Sequence, residues 1–249
     1  MIIRNAIRTA APALAMAAAA ALGGCNASGD ISFNGQEGVP LEELDMSGAA
    51  PTELALLGPD NIVLTEGSAL AITVEGADTD QLRFVLDGNS LGIMREGNYS
   101  GSGATVNIIM PAPAEISVAG SGSISAEKLA SKAGVNIAGS GSLDVADVDA
   151  DELEVVVAGS GRTRMAAGSV RKLELSILGS GKADLAGVRT DDAEVNIAGS
   201  GDSALASDGQ VEVNIMGSGD VTVTGNAQCK VSSMGSGTVT CDKVVKEDA

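Results

Sequence analysis

No histidine and no tryptophan occur in this chain, and its 249 residues include one tyrosine, two phenylalanines, three cysteines and six prolines. The missing histidine excludes Ser-His-Asp and Cys-His catalysis and most transition-metal centres. The scarcity of aromatics removes the side chains that usually supply core area, so the core must be built from Ala, Val, Ile and Leu in small regular layers. It also argues against a transmembrane barrel, whose interfaces carry aromatic girdles. Basic residues are scarce as well, 15 against 33 acids, for a formal charge of −18. Such a surface repels nucleic-acid phosphates and anionic lipid heads, so nucleic acid is not an expected partner. Glycine is plentiful at 33 residues, but without the three-residue period of collagen. Together with alternating Val and Ile, it predicts short strands and tight turns.

The first 24 residues stand apart from the fold. Arg4 and Arg8 precede an apolar run from Ala10 to Leu22 that is too short to span a bilayer comfortably. Leu22-Gly23-Gly24-Cys25 resembles the lipobox of bacterial lipoproteins. That resemblance implies cleavage before Cys25, lipidation of Cys25, and a membrane partner reached through the N-terminal lipid. The other reading is an ordinary signal peptide with an incidental cysteine. Asn26 follows Cys25 where inner-membrane retention in enteric bacteria takes Asp, which points to the outer rather than the inner membrane. The expected location is the cell envelope, facing the periplasm or the cell surface. Removing residues 1–24 takes away Arg4 and Arg8 and no acid, leaving 13 basic and 33 acidic residues, a charge of −20. Residues 25–52 are polar, acidic and rich in Gly and Ser, and read as a flexible tether.

Residues 53–110 read as an N-terminal β segment, with strands joined by short turns at Glu66-Gly67 and Asp87-Gly88-Asn89. From 111 to 243 a repeat takes over. A Gly-Ser-Gly triplet starts at Gly120, Gly139, Gly159, Gly179, Gly199, Gly217 and Gly235, at spacings of 18 to 20 residues. Positions two, four and six before each triplet, and six after it, are apolar almost throughout, for example Leu173, Leu175, Ile177 and Leu185. The period of two puts them on one face of a strand. One coil of this kind cannot bury enough to stand alone, whereas stacked coils share a core and complete each other's backbone hydrogen bonds. The expected fold is all-β, a right-handed parallel β-helix or β-solenoid of seven coils. An antiparallel sandwich is the competing topology, but it has no need of identical residues at every turn. Residues 244–249 form a charged tail over the open end.

The triplet glycines permit a sharp bend and close approach of successive corners. The serines between them would stack as a hydroxyl column, either a ligand-binding ridge or a hydrogen-bonded corner. No helix with a GKS or GKT sequence follows, as a phosphate loop would need. The GGxGxD signature of calcium-binding repeats is also missing. The strand before the triplet carries a stronger constellation. Glu154, Glu174, Glu194 and Glu212 lie on its outward face, one per coil at about 4.8 Å, beside Asn196 and Asn214. Like charges that close repel. A line of oxygens suits calcium, the one cofactor this strip admits. A glycan is the other ligand it would take, and a plain solvated acidic face is the alternative to both. Arg162, Arg164, Arg171, Lys172, Lys182 and Arg189 gather in the middle coils and read as charge balance for the acidic stack. With Cys25 lipidated, Cys229 and Cys241 remain as an even pair on opposite sides of the last triplet. Both fall in the apolar register, and an oxidising compartment permits a disulfide across that corner. Two buried thiols are the alternative.

The stretch "GPDNIVLTEGSALAITVEGADTDQLRFVLDGNSLGIMRE", followed by "PAPAEISVAGSGSI" and then "VNIAGSGSLDV", "LSILGSGKADL" and "VNIMGSGDVTV", resembles the head GIN domain family of auto-transporter adhesins. The resemblance covers about residues 54–241. It implies an exported β-helical domain with a surface or adhesion role and no catalytic residues. The function expected on that basis is a non-enzymatic envelope binding module whose partner is an envelope glycan or protein. A β-helix polysaccharide lyase or hydrolase and a pure structural spacer are the alternatives. The coil lengths vary by only two residues, which leaves little room for the long loops such enzymes build around a groove.

Overall fold

The alternation around each triplet becomes two strands meeting at a corner. The strand ending on the first glycine, here called arm A, includes Glu115–Gly120, Lys132–Gly139, the last part of Val148–Gly159 and its successors up to Gln228–Gly235. The strand after the triplet, arm B, includes Ser123–Ala126, Ser142–Val145 and Arg162–Met165. In the computed structural model, which describes residues 32–97 and 103–246, every arm pairs in parallel with the same arm of the next coil. The register is strict: Gly120, Gly139, Gly159, Gly179, Gly199, Gly217 and Gly235 all stack on one another. The result is a β-solenoid of about six turns, with one apolar core along its axis. No helix among the described residues is long and apolar enough to cross a membrane. Cys25, the leader and the start of the tether lie outside the described residues.

The two glycines of a triplet are required for different reasons. The first has φ between +115° and +137°, where a side chain is strained. Its carbonyl also accepts the serine N–H of the next coil, as from Ser180 to Gly159 at 2.8 Å. The third glycine is not left-handed. It faces inward, and a Cβ on Gly181 would lie 2.4 Å from Val157 Cγ1 of the coil below. The corner is thus held by backbone amides, and a side chain on either glycine would push the coils apart.

The last two coils are two residues shorter, and the difference is absorbed where the register slips after Leu185 and again after Thr190. Buried Thr190 and Ser207 repair the backbone there. Thr190 Oγ1 donates to the Ala206 carbonyl (3.0 Å), and Ser207 Oγ accepts the Gly209 N–H (3.1 Å). At the upper end Cys229 and Cys241 form a disulfide with a Cα–Cα distance of 6.5 Å. Lys243–Lys246 pairs over Gln228, Cys229, Lys230 and Val231.

The N-terminal β segment forms two further coils of the same stack, out of chain order. Glu53–Gly58 and Asn61–Glu66 lie directly beneath Glu115–Gly120 and Ser123–Ala126. Ser90–Arg95 and Thr105–Met110 lie beneath them in turn. The first-made coil is therefore slotted between two that the chain makes later. The turn expected at Glu66-Gly67 does not join paired strands, because Thr105–Met110 separates Asn61–Glu66 from Ala71–Glu75. Two antiparallel strands, Ala71–Glu75 and Leu82–Asp87, close this lower end, the second through a tight hairpin with Ser90–Arg95. Gly103, just before Thr105–Met110 in the lowest coil, lies against Pro59: a Cβ there would stand 2.5 Å from the Pro59 carbonyl oxygen.

The corner Gly58-Pro59-Asp60 takes the place of a triplet in the inserted coil, with Asp60 where the third glycine stands elsewhere. Asp60 and Arg95 are both buried and form an ion pair. Arg95 Nε donates to Asp60 Oδ2 (3.1 Å), Arg95 Nη1 donates to the Asp78 carbonyl (2.7 Å), and Asp60 Oδ1 accepts the Ala104 N–H (2.8 Å). This pair ties the two lowest coils together. Part of the stretch read as a tether also lies against the body. Val39 bridges to Phe84, and Phe33, in the hairpin Ser32–Phe33 with Gln36–Glu37, packs with Ala55, Val85 and Met94 on the outside of the sheet.

Candidate functional site

The outer face of arm A carries three parallel columns, each defined by one residue per coil. The first runs Glu53, Glu115, Gly134, Glu154, Glu174, Glu194, Glu212, Lys230. The second includes Asn136, Ser176, Asn196, Asn214 and Ser232, and the third Leu57, Ala119, Leu178, Ala198, Met216 and Met234. The structure therefore brings together Glu154, Glu174, Glu194, Glu212, Asn196 and Asn214 on one surface.

The first column holds like charges side by side, and its chemistry shows the cost. Burial pushes the Glu115 carboxyl above its ordinary value, with repulsion from Glu53 and Glu154 adding to the shift. The hydrogen bond from Asn136 Nδ2 to Glu115 Oε1 (3.3 Å) offsets part of it. Glu154 is pushed up by burial and then by Glu174. Higher up, Lys230 Nζ lies 3.7 Å from Glu212 Oε1 and ends the run of acids. Where Gly134 interrupts the column, a depression of ≈ 430 Å³ opens between Glu115, Glu154, Lys132 and Lys172.

Among the described residues, no group of three or more His, Cys, Asp or Glu side chains could hold a metal ion. The glutamates are spread along the axis, one per coil, rather than converging. The asparagines instead form a relay: Asn214 Nδ2 donates to Asn196 Oδ1 and Asn196 Nδ2 to Glu194 Oε1, both at 3.0 Å. The first bond joins adjacent coils along the axis and the second joins neighbours two residues apart on one strand, so the relay orients both amides and the Glu194 carboxylate.

Sequence reading missed the third column. Leu178, Met216 and Met234 are 52%, 64% and 73% exposed, the three most exposed large hydrophobics among the described residues. All three stand in one line, and with Ser176, Asn196 and Asn214 they border a shallow groove of ≈ 290 Å³. The signal was available. Leu178 and Met216 each directly follow an inward residue (Ile177, Ile215), which breaks the alternation at a position where Ala119, Ala138, Ala158 and Ala198 stand in other coils. At the lower end of the same face the columns are covered, since Phe33 sits so close over Gly92 that a Cβ there would lie 2.5 Å from Phe33 Cδ1.

The basic residues of the middle coils serve the stack. Arg171 pairs with Asp151 (2.7 Å), Lys182 with Asp202 (2.8 Å), Arg189 with Asp208 (2.7 Å) and Arg164 with Asp184 (3.8 Å), each across adjacent coils. The triplet serines remain exposed on a neighbouring ridge.

This geometry has relatives. The model of the family described as "Putative auto-transporter adhesin, head GIN domain" matches residues 50–227. The chain belongs to this family. No curated protein matches it in sequence. The solved structure of a "putative adhesin" from Bacteroides fragilis superposes with a TM-score of 0.70 at 19% identity, over 79% of this chain and 93% of that one. A "putative adhesin" from Parabacteroides merdae gives 0.58 at 19%, over 79% and 92%. A "Putative lipid binding protein" from Parabacteroides distasonis gives 0.53 at 20%, over 81% and 94%. At these identities the likeness is one of fold. Leu178 and Met216 fall within the matched head GIN residues, whereas Met234 and the disulfide lie past them.

Proposed function

We propose that this head GIN domain protein is an exported, non-enzymatic binding module of the cell envelope, held in the outer membrane by a lipid on Cys25. Its binding surface is the outer face of arm A, and its ligand is an envelope glycan or protein. The observation that carries the reading is the coincidence on one face of the most exposed apolar column with the Asn214–Asn196–Glu194 relay. An exposed apolar strip along a shallow groove, beside oriented amides and carboxylates, suits an elongated ligand with both apolar and polar edges. The near-constant coil length supports binding without catalysis, because among the described residues no long loop rises over the face to enclose a reacting group.

Two measurements test this. Mature protein immobilised on a support should retain ligand from fractionated envelope polysaccharide or envelope protein, and Met216→Glu should release it. Equal retention by both proteins places the site elsewhere. For the anchor, cells expressing the full chain should yield a detergent-phase, acylated product, and Cys25→Ser should yield an unacylated one. An unacylated wild-type product overturns the lipid reading.

A further inference from the structure

We infer that the upper part of this face, along Leu178, Met216 and Met234, docks an extended, cationic segment of a partner polypeptide. The inference rests on reading the outer face of arm A as the binding surface and goes further by naming the occupant.

The same face already takes a polypeptide at its lower end. There the chain's own Phe33, in the hairpin Ser32–Phe33 with Gln36–Glu37, packs on Gly92, Ala55 and Met94 with Leu57 beside it. Those residues are the lowest members of the second and third columns. The columns continue without interruption in register to Asn214 and Met216. Between the two ends the third column narrows to Ala119, Ala138 and Ala158, which leaves the large side chains of the upper end as a second apolar step.

Charge selects the partner. Glu174, Glu194 and Glu212 stand in the coils of Leu178, Ala198 and Met216, across the Ser176-Asn196-Asn214 column from them, with Lys230 ending the run in the coil of Met234, and the whole chain carries −18. A second copy is disfavoured by that like charge. Its docking segment, Ser32 to Glu37, adds an acid and no base. An extended segment that alternates apolar and basic residues presents one edge to Leu178, Met216 and Met234 and the other to the glutamates. Two of the three apolar residues are methionines, whose unbranched, polarizable side chains adapt to an occupant that does not match the coil spacing.

The test uses mature protein and a fluorescein-labelled octapeptide of alternating Lys and Val, read by fluorescence anisotropy. An alternating Glu-Val octapeptide and a neutral oligosaccharide are measured beside it. Met216→Glu and Met234→Glu add negative charge. Attraction by bulk charge alone would tighten on either substitution, whereas docking on the apolar step should weaken by at least about tenfold. Both positions are exposed, so the melting temperature of each variant checks that it folds. The expected result is binding of the Lys-Val peptide alone, weakened in both variants, with slowed amide exchange in residues 176–178 and 214–216. Unchanged or tighter binding in the variants, or no binding by wild type, overturns the inference. If a neutral oligosaccharide binds instead and Met216→Glu abolishes it, the face stands as a binding surface and only the cationic polypeptide falls. If Met216→Glu alters no binding at all, both readings fall.

Discussion

Replacing either glycine of a corner brings a methyl group against a different neighbour. At Gly179, with φ of +122°, a Cβ would stand 2.5 Å from the Gly159 carbonyl oxygen that accepts the Ser180 N–H. Gly179→Ala therefore combines left-handed strain with a displaced corner bond and should lower unfolding stability by about 2 kcal/mol or more, measured by urea denaturation. A smaller loss would mean that the corner relaxes without opening its neighbour. The opposite sign is expected at Thr163. Its side chain sits fully buried in arm B with an Oγ1 that has no hydrogen-bond partner, and Ser203 two coils above is in the same state. Thr163→Val keeps the shape and removes the stranded hydroxyl, so stability should rise by about 1 kcal/mol. Corner glycines were legible in the sequence as corners, but not the different reasons for the first and third. Asp60 was not legible at all. A carboxylate at a buried corner follows no local pattern, and its partner Arg95 is 35 residues away. Removing that carboxylate by Asp60→Ala takes the ion-pair partner from a buried guanidinium and should cost about 3–5 kcal/mol.

At the scale of the strand, arm A was readable because a period of two fixes both faces at once. Naming the inward apolar positions places Glu154, Glu174, Glu194 and Glu212 outward, and parallel register then stacks them. What such counting cannot supply is how the stacked acids titrate. Glu115 and Glu154 hold protons more tightly in the folded chain than in the unfolded one. Their stabilising contribution is complete below the ordinary glutamate value of 4.5 and is lost as pH rises through the higher folded values. Asp151, Asp202 and Asp208 act in the reverse sense. Hydrogen bonds from Arg171, Lys182 and Asn226 respectively hold them below 3.8, so their contribution is present above that value and is lost as pH falls through the folded values. Stability should therefore rise from neutral pH toward the glutamate range and fall again in stronger acid. The double variant Glu115→Gln with Glu154→Gln isolates the first effect. Its urea midpoint should exceed that of wild type at neutral pH, and the two should converge as pH approaches 4.5. A difference that does not change with pH would trace to packing rather than to charge.

For the whole molecule, the repeat predicted a stack, and a stack is what forms, because each coil contacts little beyond its neighbours. The order of the lowest coils was hidden. Residues 53–66 pair on both edges with strands from 90–110 and 115–126, and strands of similar apolar alternation carry no mark of which partner they will meet. Chain order would have stacked them as hairpins, whereas burial of both edges favours insertion. The two ends of the solenoid should thus respond differently to deletion. Ending the chain after Ala227 removes the last coil and its disulfide but leaves every lower pairing intact, and the family match stops at the same place. That truncation should fold and unfold cooperatively at a lower urea midpoint. Deleting residues 53–66 parts the lowest coil from the remainder and strands Arg95 without Asp60, so that variant should lack the native β signal by circular dichroism. If it folds with a wild-type-like transition, then 90–110 stacks directly on 115–126, and the inserted coil is a passenger rather than the piece that joins the capped end to the repeat.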